Sequence, residues 1–175
     1  MKKNKAINML TYTGVVTLSQ YIRNKKTIVY QAHNKGGPVL FNFFANCLIG
    51  DFAKAEKSLP TKVMFLTNPT GEHEEHYYPV SGFTHLLTTQ ERGYNDEIPY
   101  VRFSFVIPKD RVALARTSTN LYLGLYNEEN PDPTSEALAQ KYMAVCPVDI
   151  TGSSANAALV VDWDLYISNP PKSTI

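Results

Sequence analysis

Cysteine, tryptophan and net charge are all scarce in this 175-residue sequence, with two Cys, one Trp and a formal charge of +1. Two cysteines, Cys47 and Cys146, cannot build a disulfide framework. Both read as buried reduced thiols, because free Cys packs as a small hydrophobe. A flat charge balance argues against a nucleic-acid partner, which would need a basic patch to neutralise phosphates. Long apolar runs are missing as well. The longest, Val39 to Ile49, is interrupted by Asn42 and Asn46, and falls short of the ~18 apolar residues of a membrane span. No membrane partner is expected. The opening Met1 to Lys5 is basic, and Ala6 to Tyr12 alternates rather than forming the apolar core of a secretory signal. Synthesis in a cytoplasm, without secretion by a classical route, is the expectation.

What is present is enough apolar content for a core: 43% hydrophobic against 19% charged residues. The length fits one domain over 1–175, with a short flexible N-terminal arm, 1–6, and a C-terminal tail, 170–175, that reach outward. Period-two alternation dominates. From Leu10 to Tyr21, Leu10, Tyr12, Val16 and Leu18 take one parity, and Thr11, Thr13, Thr17 and Ser19 the other, which predicts a half-buried strand. Gly14 on the apolar parity marks a bulge or a close backbone approach. A turn at Arg23-Asn24-Lys25-Lys26 then joins a strand over Thr27 to Ala32, making a hairpin. Further strands are predicted at Lys62–Thr67, Phe83–Gln90, Tyr100–Ile107, Asn120–Tyr126, Met143–Ile150 and Ala158–Ser168. Pro147 places the Met143–Ile150 strand at an edge or a bulge.

Helix signals are few. Pro38 suits a first helical turn and Gly50 a C-terminal cap, so a helix is predicted over 38–49. Its apolar residues cover most of its circumference, which predicts burial on several sides. A second short helix is predicted over Asp51–Lys57, and another over Thr134–Tyr142. Seven or eight short strands with turns between them and no alternating βα rhythm predict a mainly-β fold. The expected form is an antiparallel β-sandwich with one buried inserted helix. Leu18, Phe41, Phe44, Phe103, Phe105, Leu123, Trp163 and Leu165 are the expected inward residues.

No active-site chemistry is legible. His73-Glu74-Glu75-His76 places two His at i and i+3, not the i and i+4 of a zinc helix, and a solvated or structural role outweighs metal binding. His33-Asn34-Lys35-Gly36-Gly37 lacks the ending of a phosphate loop and reads as a turn. Asp162 and Asp164 flank Trp163 on one face of the last strand, about 7 Å apart by strand spacing. They could act as an acid/base pair or bind calcium, but a solvated polar face accounts for them better. Asn127 to Asp132 reads as a solvated acidic loop, and Arg23, Lys25 and Lys26 as a solvated turn. No catalytic, cofactor-binding or metal-binding residue is assigned, no cofactor is expected, and the chain is expected not to be an enzyme. The surface signal is tyrosine: Tyr77, Tyr78, Tyr94, Tyr100, Tyr122, Tyr126 and Tyr142 lie toward loops or on the weaker strand parity, as interface tyrosines do.

The opening couples Gly14-Val15-Val16-Thr17-Leu18 with His33 to Phe41, and the close couples Leu121 to Asn127 with Val160 to Ile167. This layout resembles the small β-rich structural proteins of tailed bacteriophage virions, found in tails, baseplates, collars and head decorations. The resemblance implies a virion component assembled in the bacterial host cytoplasm. Such a component acts by protein–protein contact with other virion proteins and with copies of itself, and brings no catalytic residues. The alternative is a carbohydrate-binding β-sandwich module, with tyrosines stacking on a host-surface glycan.

Overall fold

A computed structural model describes residues 13–36, 38–57, 59–68, 77–95, 97–127 and 142–166, without the side chains at 35, 38, 39, 41, 78, 79 and 81–85. Eight strands form: β1 (Thr13–Ile22), β2 (Lys25–Gly36), β3 (Lys62–Thr67), β4 (Tyr78–Asn95), β5 (Ile98–Ile107), β6 (Leu121–Tyr126), β7 (Ala144–Pro147) and β8 (Leu159–Tyr166). Among the described residues, three helices accompany them: α1 (Pro38–Leu48), α2 (Phe52–Lys57) and α3 (Lys109–Ala115). Each of the eight predicted strands is present, and the fold is mainly β.

The sandwich expectation is corrected. All pairings are antiparallel, and they run round a single closed barrel in the order β1-β2-β7-β6-β3-β4-β5-β8. Alternation along a strand says which side chains point inward, but one barrel interior and the gap of a sandwich ask for the same alternation. The interior takes Val16 and Leu18 from β1, Val63 and Phe65 from β3, Phe103 and Phe105 from β5. Leu123 and Leu125 of β6 and Val161, Trp163 and Leu165 of β8 complete it. Of the expected inward residues, Phe44 only packs against this core from partial burial, and the Phe41 side chain lies outside the described residues. Trp163 is fully buried, and its indole N–H finds no hydrogen-bond partner.

Antiparallel connectivity places the helices at the two barrel ends. α1 follows β2 at one end and sends Leu40 into the core, with Phe43 and Phe44 packed behind it. α3 follows β5 at the other end and contributes Val112 and Ala115, beside Val148 and Ile150. The α1 expectation is right in place and wrong in burial: Leu48, Ile49 and Phe52 are all more than two-thirds exposed. Gly50, at φ 77°, ends α1 as predicted, and the Asp51 carboxylate accepts from the Lys54 N–H to cap α2. α3 was missed, because seven residues with only Val112 and Ala115 buried give too few turns for a visible period. The predicted loop at His33–Gly37 is also corrected, since β2 continues to Gly36 against β7. His33 to Gly36 is therefore strand rather than loop.

Local chemistry fits the register. Arg23 and Asn24 both have positive φ, 51° and 61°, as a two-residue hairpin turn needs. Lys25 and Lys26 therefore belong to β2 rather than to the turn. Gly14 is a close approach: a Cβ there would lie 1.5 Å from the Asn34 side-chain oxygen on β2. The buried Gln20 ties the top of β1 to the 154–157 loop. Its amide donates to the carbonyls of Ser154 and Ala157, and its carbonyl accepts from the Ser154 N–H.

A second cluster lies outside the β3–β6–β7 wall, where Met64, Leu66, Tyr77, Tyr126, Tyr142 and Val145 are buried together, with Tyr122 at their edge. Tyr77 packs edge-on against both Tyr122 and Tyr142. For each tyrosine of the surface signal, partial core burial is the other reading, and Tyr77, Tyr126 and Tyr142 follow it as a satellite core. Both cysteines are free, Cys146 buried in the barrel and Cys47 half-buried on α1. The predicted helix over 134–142, the acidic loop after Asn127, His73 and His76, the arm 1–6 and the tail 170–175 lie outside the described residues, as does the Tyr78 side chain.

Two outcomes follow from this packing. Trp163→Ala is expected to cost about 3–5 kcal/mol in urea unfolding. Trp163→Phe, which deletes the unpartnered N–H, is expected to cost clearly less. An unchanged midpoint for the alanine variant would contradict the barrel interior. Burial also pushes the Cys146 thiol up to about 12, so at pH 8 almost no thiolate is present. A thiol-reactive dye is expected to label Cys146 only on unfolding, while Cys47 labels in the folded protein.

Candidate functional site

Two features of the described surface stand apart from ordinary strand and loop. The first is a cleft of about 510 Å³ on the outer face of the barrel, over β2, β1, β8 and β5. Its floor is built from the polar parity of these strands. In register, Thr17 on β1 faces Asp162 on β8, and Asp162 and Asp164 face Ser104 and Arg102 on β5. A solvated role for the two aspartates is corrected, since both are at least 95% buried. A buried charge has to be paired, and each of these is. Lys26 Nζ donates to Asp162 Oδ2 at 2.9 Å, and Ser104 Oγ to Asp162 Oδ1 at 2.7 Å. Arg102 forks onto Asp164, Nε to Oδ1 at 2.6 Å and Nη2 to Oδ2 at 2.8 Å. At the rim, Arg102 Nη1 reaches Glu91 at 3.5 Å. The Arg23, Lys25 and Lys26 cluster is therefore split: Arg23 and Lys25 face solvent and Lys26 is spent on Asp162.

Aromatic rings close the floor at the β4–β5 end. The Arg102 guanidinium lies over the Tyr100 ring, 5.2 Å from its centroid, and Tyr100 meets Tyr166 at 5.5 Å. Tyr94, 78% exposed, lies on the other face of the β4–β5 hairpin, opposite Pro99. Hydrogen bonding to Asp164 holds the Arg102 guanidinium charged, above its ordinary value. Burial pushes the Asp164 carboxyl above the usual carboxylate range, and the Arg102 fork draws it part of the way back. Burial likewise raises the Tyr166 phenol, against a hydrogen bond from Asn95.

Chemically, this arrangement binds better than it reacts. Arg102 donates to both oxygens of Asp164, so its charge is held in an ion pair rather than left free for acid/base exchange. Calcium at the pair would have to displace Lys26 and Arg102. Among the described residues, no group of three or more His, Cys, Asp or Glu side chains is placed to hold a metal ion.

The second feature is a flaw in barrel closure. β2 and β7 pair only at Lys35–Val145 and Gly36–Ala144. The next partner in that register, opposite His33, would be Pro147. The Val148 N–H donates to the Leu121 carbonyl on β6, so the backbone of the preceding residue turns the other way, toward β2. There Pro147 has no N–H to give. The His33 carbonyl takes the Cys146 Sγ–H instead, at 3.4 Å. Among the described residues, Lys25 to Ala32 of β2 pair with β1 alone. The seam opens into a cleft of about 420 Å³ bounded by Tyr30 of β2, Tyr122 of β6 and the 147–151 segment. Pro147 was legible as a strand terminator. Which strand its missing N–H faced was not, because that depends on the pairing partner.

No family model matches the chain, and no curated protein or solved structure does either. Among the described residues, no helix is long and apolar enough to cross a membrane.

The ion pairs give a test with a definite sign. Arg102→Ala leaves the Asp164 charge buried without its fork, a loss of about 3–5 kcal/mol at pH 7. With the fork gone, Asp164 titrates higher in the folded chain than in the unfolded one. Folding then takes up a proton, and that penalty grows as pH rises above the ordinary carboxylate value and fades below it. Chemical denaturation of wild type and variant at several pH values is expected to show the gap narrowing toward acid. A gap independent of pH would mean that Asp164 is not the group left unpaired.

Proposed function

We propose that this chain is a structural virion protein of a tailed bacteriophage, acting by protein–protein contact in a tail, baseplate, collar or head assembly. It is made and assembled in the bacterial host cytoplasm, and its partners are other virion proteins and copies of itself. The reading includes no enzymatic activity, no cofactor, no nucleic acid and no membrane. The observation that supports it best is the one-sided pairing of β2. A run of backbone N–H and C=O groups held at strand spacing is a template for an added strand. A closed barrel would otherwise leave no such edge. Exposed Ile28 on β2, with Tyr21 and Ile22 at the end of the β1–β2 hairpin, adds apolar surface for a neighbour. The bare Leu48, Ile49 and Phe52 at the opposite barrel end give a second place for contact. The flat charge balance puts little self-repulsion between packed copies.

Pro147→Val tests this directly. The substitution restores an N–H opposite the His33 carbonyl, so the β2–β7 ladder can extend and the edge is consumed within the chain. Light scattering of the wild-type chain, alone and mixed with co-encoded virion proteins, is expected to show an assembly or complex. The variant is expected to fold at least as stably and to assemble less. A wild-type chain that stays monomeric and binds no virion protein would overturn the assembly reading. Equal assembly by the variant would remove the seam from it.

A further inference from the structure

We propose that the outer-face cleft over Asp162 and Asp164 is a binding site for a neutral saccharide. The first argument is charge. Lys26 and Arg102 balance Asp162 and Asp164 one for one within the floor, so neither an anion nor a cation gains a net attraction there. A neutral ligand rich in polar groups does not upset that balance.

The second argument is unused hydrogen-bonding capacity. A carboxylate offers about four lone-pair directions, and each aspartate receives two donors. An ammonium has three N–H groups, and Lys26, 43% exposed along its side chain, gives one to Asp162. Gln31, across on β2, donates its amide to Thr17 and keeps its carbonyl as an acceptor. Donors and acceptors thus alternate along the floor at fixed positions. Sugar hydroxyls, each donor and acceptor at once, match that alternation. The ion pairs hold these groups in place before any ligand arrives, which lowers the ordering cost of binding.

The third argument is shape. The cleft has the volume of a small-ligand site. Tyr100 and Tyr166 line it, rigid rings whose edges can meet the apolar C–H face of a pyranose while the hydroxyls turn to the floor. This site and the β2 edge are separate, one on a sheet face and the other in its seam, so either can fail alone.

The test is calorimetric titration of the full chain with trisaccharides built from glucose, galactose, mannose or N-acetylglucosamine, with sialyllactose as the anionic counterpart. At least one neutral trisaccharide is expected to bind. Tyr100→Ala, with folding checked by circular dichroism, is expected to weaken binding by about tenfold or more, a loss of ~1.4 kcal/mol. Gln31→Ala is expected to weaken it too, and Pro147→Val to leave it unchanged. Absence of heat from every neutral trisaccharide up to about 10 mM, a preference for sialyllactose, or binding indifferent to both Tyr100→Ala and Gln31→Ala would each overturn the proposal.

Discussion

Closure of one hydrogen-bonded sheet on itself is the constraint from which the rest of this molecule follows. Once β8 pairs with both β1 and β5, every second residue of these strands must enter a single interior. The apolar parity of each strand fills that space, with Trp163 at full burial among Leu18, Phe103 and Phe105. The opposite parity is then forced outward as a set. On β8 that set is Asp162, Asp164 and Tyr166, and on β5 it is Tyr100, Arg102 and Ser104. The outer-face cleft is a consequence of barrel register, because no loop brings its floor together.

The same closure explains why polar groups outside the barrel are nonetheless buried. A curved sheet gathers side chains from adjacent strands, and Lys26 and Arg102 reach across their neighbours to cover the carboxylates. Pairing of this kind does not have to add stability over apolar residues of the same size. It makes the loss of one partner costly and fixes the direction of the other. On the β3–β6 side the outward parity is apolar instead, and Tyr77, Tyr126 and Tyr142 bury one another there. One barrel thus carries a fixed polar floor on one side and a second small core on the other.

Pro147 is the one residue that resists closure. Its position in the β2–β7 ladder removes the donor that His33 would use, and the Cys146 thiol fills in only weakly. The interruption leaves β2 with one bare edge beside exposed Ile28, and the proposed contact role rests on that edge.

Local pattern was enough to place the strands. Period-two alternation marked β1, β5, β6 and β8, short apolar runs between turn signals marked the other four, the signals at Pro38 and Gly50 bracketed α1, and Gly14 marked a bulge or a close approach. These are properties of a chain reading its own neighbours, where side-chain parity and special backbone residues act over a few positions. What local pattern could not decide was partnership. Sandwich and barrel share one alternation, so only the pairing of β1 with β8 and of β2 with β7 separated them. The greasy circumference of α1 implied burial, yet the helix sits at a barrel end where one face meets the core and Leu48 has nothing to meet. Asp162 and Asp164 looked like solvated strand residues because their cations, Lys26 and Arg102, lie 136 and 62 positions away in the chain. Sequence fixes which groups a residue offers at its own position; the tertiary structure decides which distant group answers, and here that decided the barrel, the paired cleft and the open edge.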